Sequence, residues 1–458
     1  MNKKLKNDNT SIVDHIFWFV FIIYSNPGGL LKALGENSGD GGINITDFLY
    51  VILLGCFVWV FRKNRDYNDR SYLRIVKYLA IFLIYYLLVF SFIVPILRDY
   101  THYSAITTFI KIRFSVMHIS LVVFVYEFYV RSYPVFFKYL LYSSIIIIPL
   151  FFISVLTGLD ILPIKILERR FITTQRLIMD SYGLMPLLIP MGVVVAVFRF
   201  DIKYRKAIFV GFILMFMSRV LGIFRRYVLG AFIYMFIAII FNNYLEKKVA
   251  STLKKIFTIA FYLVILGFII QLTFPKYIDA GIEAGKETIY VIKYGESSLG
   301  KSDTRLGLGK EFMQNLIIEN FVFGTGFDNR WRTLVGNKAG YEASDYPFLG
   351  SIAMYGVFGL LFFLPVYIVL IKALRYDIKY LRKHHFDRHS FESFVLILFV
   401  IYFIYDLLQY INWFLPLSII MDIKWYVFLA MYLASRRIFY KNEWLKKNNE
   451  LKLQQKLI

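Results

Sequence analysis

Cysteine is all but missing from this chain: Cys56 stands alone among 458 residues. A single thiol makes no intrachain disulfide and no Cys-based metal site. Its setting in an apolar run makes it a packing residue. Charge is sparse as well. Asp, Glu, Lys and Arg make up 18% of the chain, against about a quarter in ordinary soluble domains. Several signatures are lacking too. There is no Walker loop, no GxGxxG after a strand and no GxSxG elbow, which removes the P-loop, dinucleotide-binding and α/β-hydrolase classes. No repeat of fixed period stands out, so the matched halves common in transporters are not visible.

What is present is apolar surface. The chain is 58% hydrophobic and 19% aromatic, with a mean hydropathy of +0.58. Apolar runs of about 20 residues recur, each long enough to span a bilayer. The pattern predicts spans over 12–24, 45–61, 75–95, 105–130, 136–156, 184–198, 207–221, 227–245, 256–274, 346–371, 391–412 and 414–435. The expected fold class is an all-α integral membrane protein with about 12 transmembrane helices. Residues 1–274 would hold the first nine, 275–345 a large outer loop, 346–435 the last three, and 436–458 a basic tail. Lys3, Lys4 and Lys6 before the first run imitate a signal peptide. No small-x-small site follows, only Asn26-Pro27-Gly28-Gly29, so a retained first span is expected.

The connectors alternate in charge. Arg62, Lys63, Arg65, Arg70 and Arg74 follow the second span; Arg199, Lys203, Arg205 and Lys206 the sixth. Lys247, Lys248, Lys254 and Lys255 follow the eighth, and Lys372, Arg375, Lys379, Arg382, Lys383 and Arg388 the tenth. The tail adds Arg436, Arg437, Lys441, Lys446 and Lys447. With twelve spans all of these fall on one side. The positive-inside rule makes that side the cytoplasm, with both termini there. Topology thus accounts for the formal net charge of +22. Scattered short basic loops without a recognition fold do not indicate a nucleic-acid partner.

Cations on the other side are informative because they break the rule. The outer loop 157–183 carries Lys165, Arg169, Arg170 and Arg176. The turn between the seventh and eighth spans carries Arg219, Arg225 and Arg226, with no acid between them, and Lys111 and Arg113 lie near the outer end of the fourth span. Arginine meets phosphate oxygens with two parallel N–H bonds, so such a cluster suits a lipid pyrophosphate. The plainer role for any one of them is an anchor snorkelling to headgroups. Arg225-Arg226 opens a helix, where the dipole adds positive potential, and fits anion binding best.

The densest segment is 302–359. Arg305 opens it. Leu308, Phe312, Leu316 and Ile317 then follow at helical spacing, as an amphipathic helix. Gly324-Thr325-Gly326 forms a turn, and Ser344-Asp345 stands eleven residues before Gly356-Val357-Phe358-Gly359. This layout resembles the O-antigen polymerase and O-antigen ligase superfamily of bacterial envelope glycosyltransferases. The resemblance covers roughly 205–372. Arg226 matches the family's arginine at the head of a span, Arg305 its large-loop arginine, and Gly324 and Gly326 its Gly-x-Gly turn. Phe321-Val322-Phe323 replaces the family's proline, and Gly309 its tryptophan. Where the ligases place a presumed catalytic histidine, this chain has Asp345, which points to the polymerase branch.

The resemblance implies a GT-C-type membrane glycosyltransferase in the bacterial cytoplasmic membrane, joining undecaprenyl-pyrophosphate-linked oligosaccharide repeats on its outer face. It implies no cofactor and no metal. It leaves room for a chain-length regulator and a flippase as partners beside the lipid bilayer. An aspartate can accept the acceptor hydroxyl's proton, and arginines can stabilise the departing pyrophosphate. Arg226, Arg305, Arg225, Arg219, Arg170 and Arg176 are the candidate substrate contacts, and Asp345 the candidate base. Asp345 also reads as a plain helix cap before Tyr346-Pro347. A ligase, or a flippase or other transporter of lipid-linked sugar, are the alternative readings.

Other residues carry weaker signals. His384, His385 and His389 contain an i, i+4 pair but read as solvated surface. Glu127, Glu392, Asp406 and Asp422 lie in or near spans, where acids are functional candidates. Tyr410, Trp413 and Trp425 read as interface belts, and Trp18 and Trp331 as aromatics able to stack on sugar.

Overall fold

The computed structural model describes residues 10–33, 44–61, 70–97, 105–159, 161–169, 172–179, 181–221, 225–246, 286, 318, 321–324, 347–384, 386–411 and 423–457. The chain there is predominantly helical. By length and composition, three stretches are long and apolar enough to cross a membrane: 71–88, 116–157 and 355–384. Shorter apolar helices cover Ile12–Tyr24, Ile45–Val60, Met185–Phe198 and Gly230–Glu246. The expected ninth span, 256–274, lies outside the described residues.

Helix α1 (Ile12–Tyr24) begins where the backbone N–H and hydroxyl of Ser11 both donate to the Asp14 carboxylate, at 2.8 and 2.9 Å. That contact ties the first turn to its cap residue. The chain then turns through Asn26 (φ 55°) and Gly28 (φ 70°). Helix α2 (Ile45–Phe61) is capped in the same manner, with Asn44 N–H on Asp47 at 2.8 Å. Helix α3 (Arg70–Leu88) continues through a π-helical turn, Val89–Ile93, into Val94–Leu97.

Helix α4 (Ala105–Thr157) contains one break, at Ser132 (φ −144°, ψ 33°), two residues before Pro134. Helix α1 shows what the break does. Asp14 meets Arg131 at the break, Tyr24 meets His118 on the first arm, and Phe19 meets Tyr139 on the second. One short helix therefore runs along both arms, so the chain folds back at Ser132. The two arms coincide with the expected spans 105–130 and 136–156.

The loop expected over 157–183 contains a short β-hairpin, and the described chain is otherwise helical. Strand β1 (Ile164–Arg169) pairs antiparallel with β2 (Ile172–Met179). Alternating Ile, Lys, Ile, Leu in β1 and the β-branched start of β2 suit a half-covered strand better than a loop. The hairpin leads into α5 (Leu188–Phe198), α6 (Arg205–Leu221) and α7 (Arg225–Glu246). Helix α8 (Pro347–His384) breaks at Gly356, and α9 (Phe391–Ile411) follows. Helix α10 (Ile423–Leu457) extends well beyond the expected span end at 435.

The core lies at α5, α9 and α10. Every residue from Ser393 to Ile401 and from Trp425 to Ser435 is buried, as expected of helices apolar on all sides. Phe399 stacks on Tyr432 at 4.4 Å and Tyr402 on Phe428 at 4.2 Å. Helix α8 instead exposes Leu361, Leu364 and Ile368, the outward surface a hydrocarbon solvent would cover.

Among the described residues, the basic segments after α5 and α8 meet the end of α7 at one end of the bundle. There Asp201 N–H donates to Arg388 carbonyl oxygen at 3.0 Å, Tyr204 hydroxyl to Pro134 carbonyl oxygen at 3.1 Å, and Arg388 pairs with Glu246. The strongest tie at this end is Asp377, which is 1% exposed. It accepts from Tyr432 (2.6 Å), Tyr440 (2.7 Å) and Arg436 Nε (3.0 Å), while Arg436 Nη1 donates to Ser71 at 3.1 Å. Tyr432, Arg436 and Tyr440 are four apart and so share one face of α10. Burial first, then the charge of Asp377, holds the Tyr440 hydroxyl well above the usual tyrosine range, so it remains a donor.

Candidate functional site

Among the described residues, Phe321–Gly324 and the Gly356–Gly359 segment meet at the end of the bundle away from this basic cluster. Gly356 has φ 66° and ψ 175° inside α8. A break there strips Val357 and Phe358 of their intrahelical acceptors. The segment Phe321–Gly324 supplies replacements. Phe321 carbonyl oxygen accepts from Val357 N–H at 2.8 Å, and Val322 carbonyl oxygen from Phe358 N–H at 3.3 Å. In an apolar surrounding those two donors would otherwise be costly. Only glycine fits at 356: its φ is left-handed, and a Cβ would run into the Val322 carbonyl. Gly324 (φ 73°) turns the chain away at once. Phe323 stacks on Phe358 at 5.8 Å and secures the contact.

The next turn of α8 is closely lined by α3. A Cβ at Gly359 would press on the Tyr355 side chain, and the Tyr85 hydroxyl reaches the Tyr355 carbonyl oxygen at 3.4 Å. The Tyr85 ring stacks on Phe362 at 4.6 Å, and Tyr86 lies 6.0 Å from Tyr355. The π-helical turn Val89–Ile93 sits one step further along α3, and such turns are frequent at functional sites. Thus two glycine motifs more than thirty residues apart in sequence form a single junction.

The arginine corner lies between α6 and α7. Arg219 occupies the last turn of α6, is 3% exposed, and has its guanidinium carbon 3.6 Å from the Tyr182 ring centroid. That is close cation–π contact. Tyr182 precedes Gly183 (φ 50°), where a Cβ would meet the Ser25 carbonyl oxygen, so the strand exit is pressed against the end of α1. Arg225 and Arg226 are the first two residues of α7. One turn on, Gly230 packs against the Tyr405 hydroxyl, and Tyr234 stacks on Tyr405 at 3.8 Å. Next to Tyr405, Asp406 is buried. Helix α7 also touches α8, which places the arginine helix beside the glycine junction's helix.

The remaining expectations divide. Arg176 lies in β2 opposite Leu167 in β1, and Lys165 opposite Ile178. Arg305, Asp345, Arg170, Gly326, Asp422, His385, Trp331 and Trp413 lie outside the described residues. Arg113 forms an ion pair with Asp47, Nε to Oδ1 at 3.0 Å and Nη2 to Oδ2 at 3.2 Å. Glu127 is buried. Glu392 is half-buried and accepts from Ser390 at 3.0 Å. His384 and His389 are exposed. Cys56 is half-buried against the core.

Two aromatic expectations are corrected. Trp18 is fully buried and donates Nε1–H to Ser132 Oγ at 2.8 Å, so it anchors the break in α4 and meets no sugar. Trp425 is 1% exposed among Phe363, Tyr367 and Tyr426, so it is a core residue and no part of an interface belt. Sequence reasoning passed over Tyr182, Tyr85 and Tyr355, since tyrosines in so aromatic a chain carry no local mark. Asp377 did carry one, as an acid within the basic run after the tenth expected span. No family model matches the chain, and comparison with curated proteins finds no match.

Proposed function

We propose that this protein is a polysaccharide polymerase of GT-C type. It would join polyprenyl-pyrophosphate-linked oligosaccharide repeats on the outer face of the bacterial cytoplasmic membrane, about twelve helices crossing with both termini inside. The single observation that carries the reading is the junction at Gly356. It ties Phe321–Gly324, within the expected long loop, to the helix that follows that loop. A site held this way on helix ends can be preorganised.

In the proposed reaction the Asp345 carboxylate accepts the proton of a sugar hydroxyl on one lipid-linked repeat. The oxygen attacks the anomeric carbon of the second chain as the bond from that carbon to pyrophosphate breaks. The configuration inverts, and the polyprenyl pyrophosphate leaves with the bonding pair. Arg226 and Arg305 stabilise the charge growing on that leaving group. Arg225, Arg170 and Arg176 extend the basic surface, and Arg219 holds its shape through Tyr182.

The test is polymer length on a gel, from membranes with matched protein levels. Asp345→Asn keeps a good helix cap but removes the base, so the variant reaches the membrane and makes no polymer. Asp345→His retains part of the activity, since imidazole also accepts a proton near neutral pH. Arg226→Lys and Arg305→Lys keep charge but lose the two-pronged donor, and both shorten the polymer strongly. Full-length polymer from Asp345→Asn would remove Asp345 as the base. Full-length polymer from both lysine variants would reduce those arginines to anchors.

A further inference from the structure

At the basic end a cleft of about 510 Å³ opens between α3, α8 and α10. Its upper wall carries Arg74, Lys372 and Arg436, with the hydroxyl of Ser71 between helices; its lower wall is Pro365, Ile368 and Val369. The described residues lining it include no carboxylate. Asp377 lies behind Arg436, not in the lining, and its bond to Nε together with the Nη1 bond to Ser71 holds that guanidinium in a fixed plane. Arg74 and Lys372 are exposed. We propose that this cleft binds the phosphate headgroup of an anionic phospholipid from the leaflet at the basic end.

Three observations lead there. First, three cations converge from three different helices with no acid among the described lining residues, which favours a compact anion over a zwitterion or a cation. A fixed guanidinium offers paired donors to phosphate oxygens, and basic pockets between membrane helices are a recurrent form of lipid headgroup recognition. Second, the wall beneath is apolar and continues outward. Leu361, Leu364 and Ile368 are 53%, 48% and 44% exposed, and positions 361, 365, 368 and 372 fall along one stripe of α8 at helical spacing. Such a stripe below a phosphate suits an acyl chain and gives a water-soluble anion nothing to contact. Third, Lys372 closes the stripe at the cation level, so headgroup and chain would lie in the order a bilayer leaflet imposes. The site is at the opposite end from the glycine junction and does not depend on the polymerase reading.

The test uses the full-length protein in a neutral detergent. Phosphatidylglycerol, phosphatidylcholine and inorganic phosphate are titrated separately, with thermal shift and native mass spectrometry as readouts. Phosphatidylglycerol should stabilise the protein and remain bound, and phosphatidylcholine should do neither. The double variant Arg74→Gln/Lys372→Gln replaces exposed side chains, so its unliganded melting temperature should match the wild type. Its phosphatidylglycerol affinity should fall about thirty-fold, the effect of two surface cations. Arg205→Gln/Lys206→Gln, two exposed cations at the same end but outside the cleft, should leave it unchanged. An equal loss in both double variants would mean diffuse attraction and overturn the site. A full effect from inorganic phosphate would overturn the lipid as its ligand, and so would equal binding of phosphatidylcholine.

Discussion

The two ends of this helical chain are held by different forces. At the basic end, side chains satisfy one another across helices: Asp377 with Arg436, Tyr432 and Tyr440, Asp14 with Arg131, Glu246 with Arg388. At the other end the described contacts rely mostly on backbone and ring faces. Phe321 and Val322 carbonyls meet a broken helix, Arg219 lies on Tyr182, and Tyr85 lies on Phe362. The difference teaches where rigidity and chemistry can be separated. Paired charges lock the basic end and leave it little to offer a reaction. A glycine break satisfied by a passing loop holds position without using charged groups. Arg113, paired with Asp47, does use charge at that end.

Breaking the basic lock should have the largest effect. Asp377→Ala leaves Arg436 without its carboxylate and should cost roughly 3–5 kcal/mol of stability, the usual penalty for stranding one partner of a buried pair. Thermal unfolding in detergent measures it, and Asp377→Leu with Arg436→Met should recover most of the loss. A wild-type melting curve for Asp377→Ala would end the contrast drawn between the two ends. Gly356→Ala comes next. Left-handed strain alone is worth about 1–3 kcal/mol, and the Cβ also expels the Val322 carbonyl. Limited proteolysis should find 315–330 cut faster, and polymer should shorten, while the melting temperature falls less than in Asp377→Ala.

Smaller effects sharpen the same comparison. Tyr182→Leu removes the ring beneath Arg219 and should cost about 0.5–2 kcal/mol; Tyr182→Phe keeps the ring and most of that energy. Equal losses in the two variants would transfer the contact from the ring to the hydroxyl. Arg113→Gln should be mildest, at about 0.2–1 kcal/mol, because its pair with Asp47 is partly exposed. Raising salt should narrow the gap between Arg113→Gln and wild type, and should leave that of Tyr182→Leu nearly unchanged.

Much of the fold was legible because apolar run length and connector charge are local properties. The spans expected at 12–24, 45–61, 184–198 and 207–221 coincide with helices to within a few residues. The hairpin over Ile164–Met179 was not legible, since short strands among charged residues look like loop until they pair. Gly324 and Gly356 stood out in sequence as turn and motif residues, yet nothing local said that one segment's carbonyls would serve the other's N–H groups. Trp18 and Trp425 misled for a related reason: an aromatic near a span end is ambiguous between belt and core until its neighbours are known.

By itself, then, the sequence determined that this chain is predominantly helical and apolar, because hydropathy acts residue by residue along the chain. Tertiary structure alone decided which buried acid pairs with which arginine, where α4 folds back, and which loop repairs the break at Gly356. Those outcomes depend on contacts such as Asp377 with Arg436 or Val322 with Phe358, tens of residues apart. Such pairs are selected by the desolvation cost of leaving either partner unsatisfied, a quantity that exists only once the helices have packed.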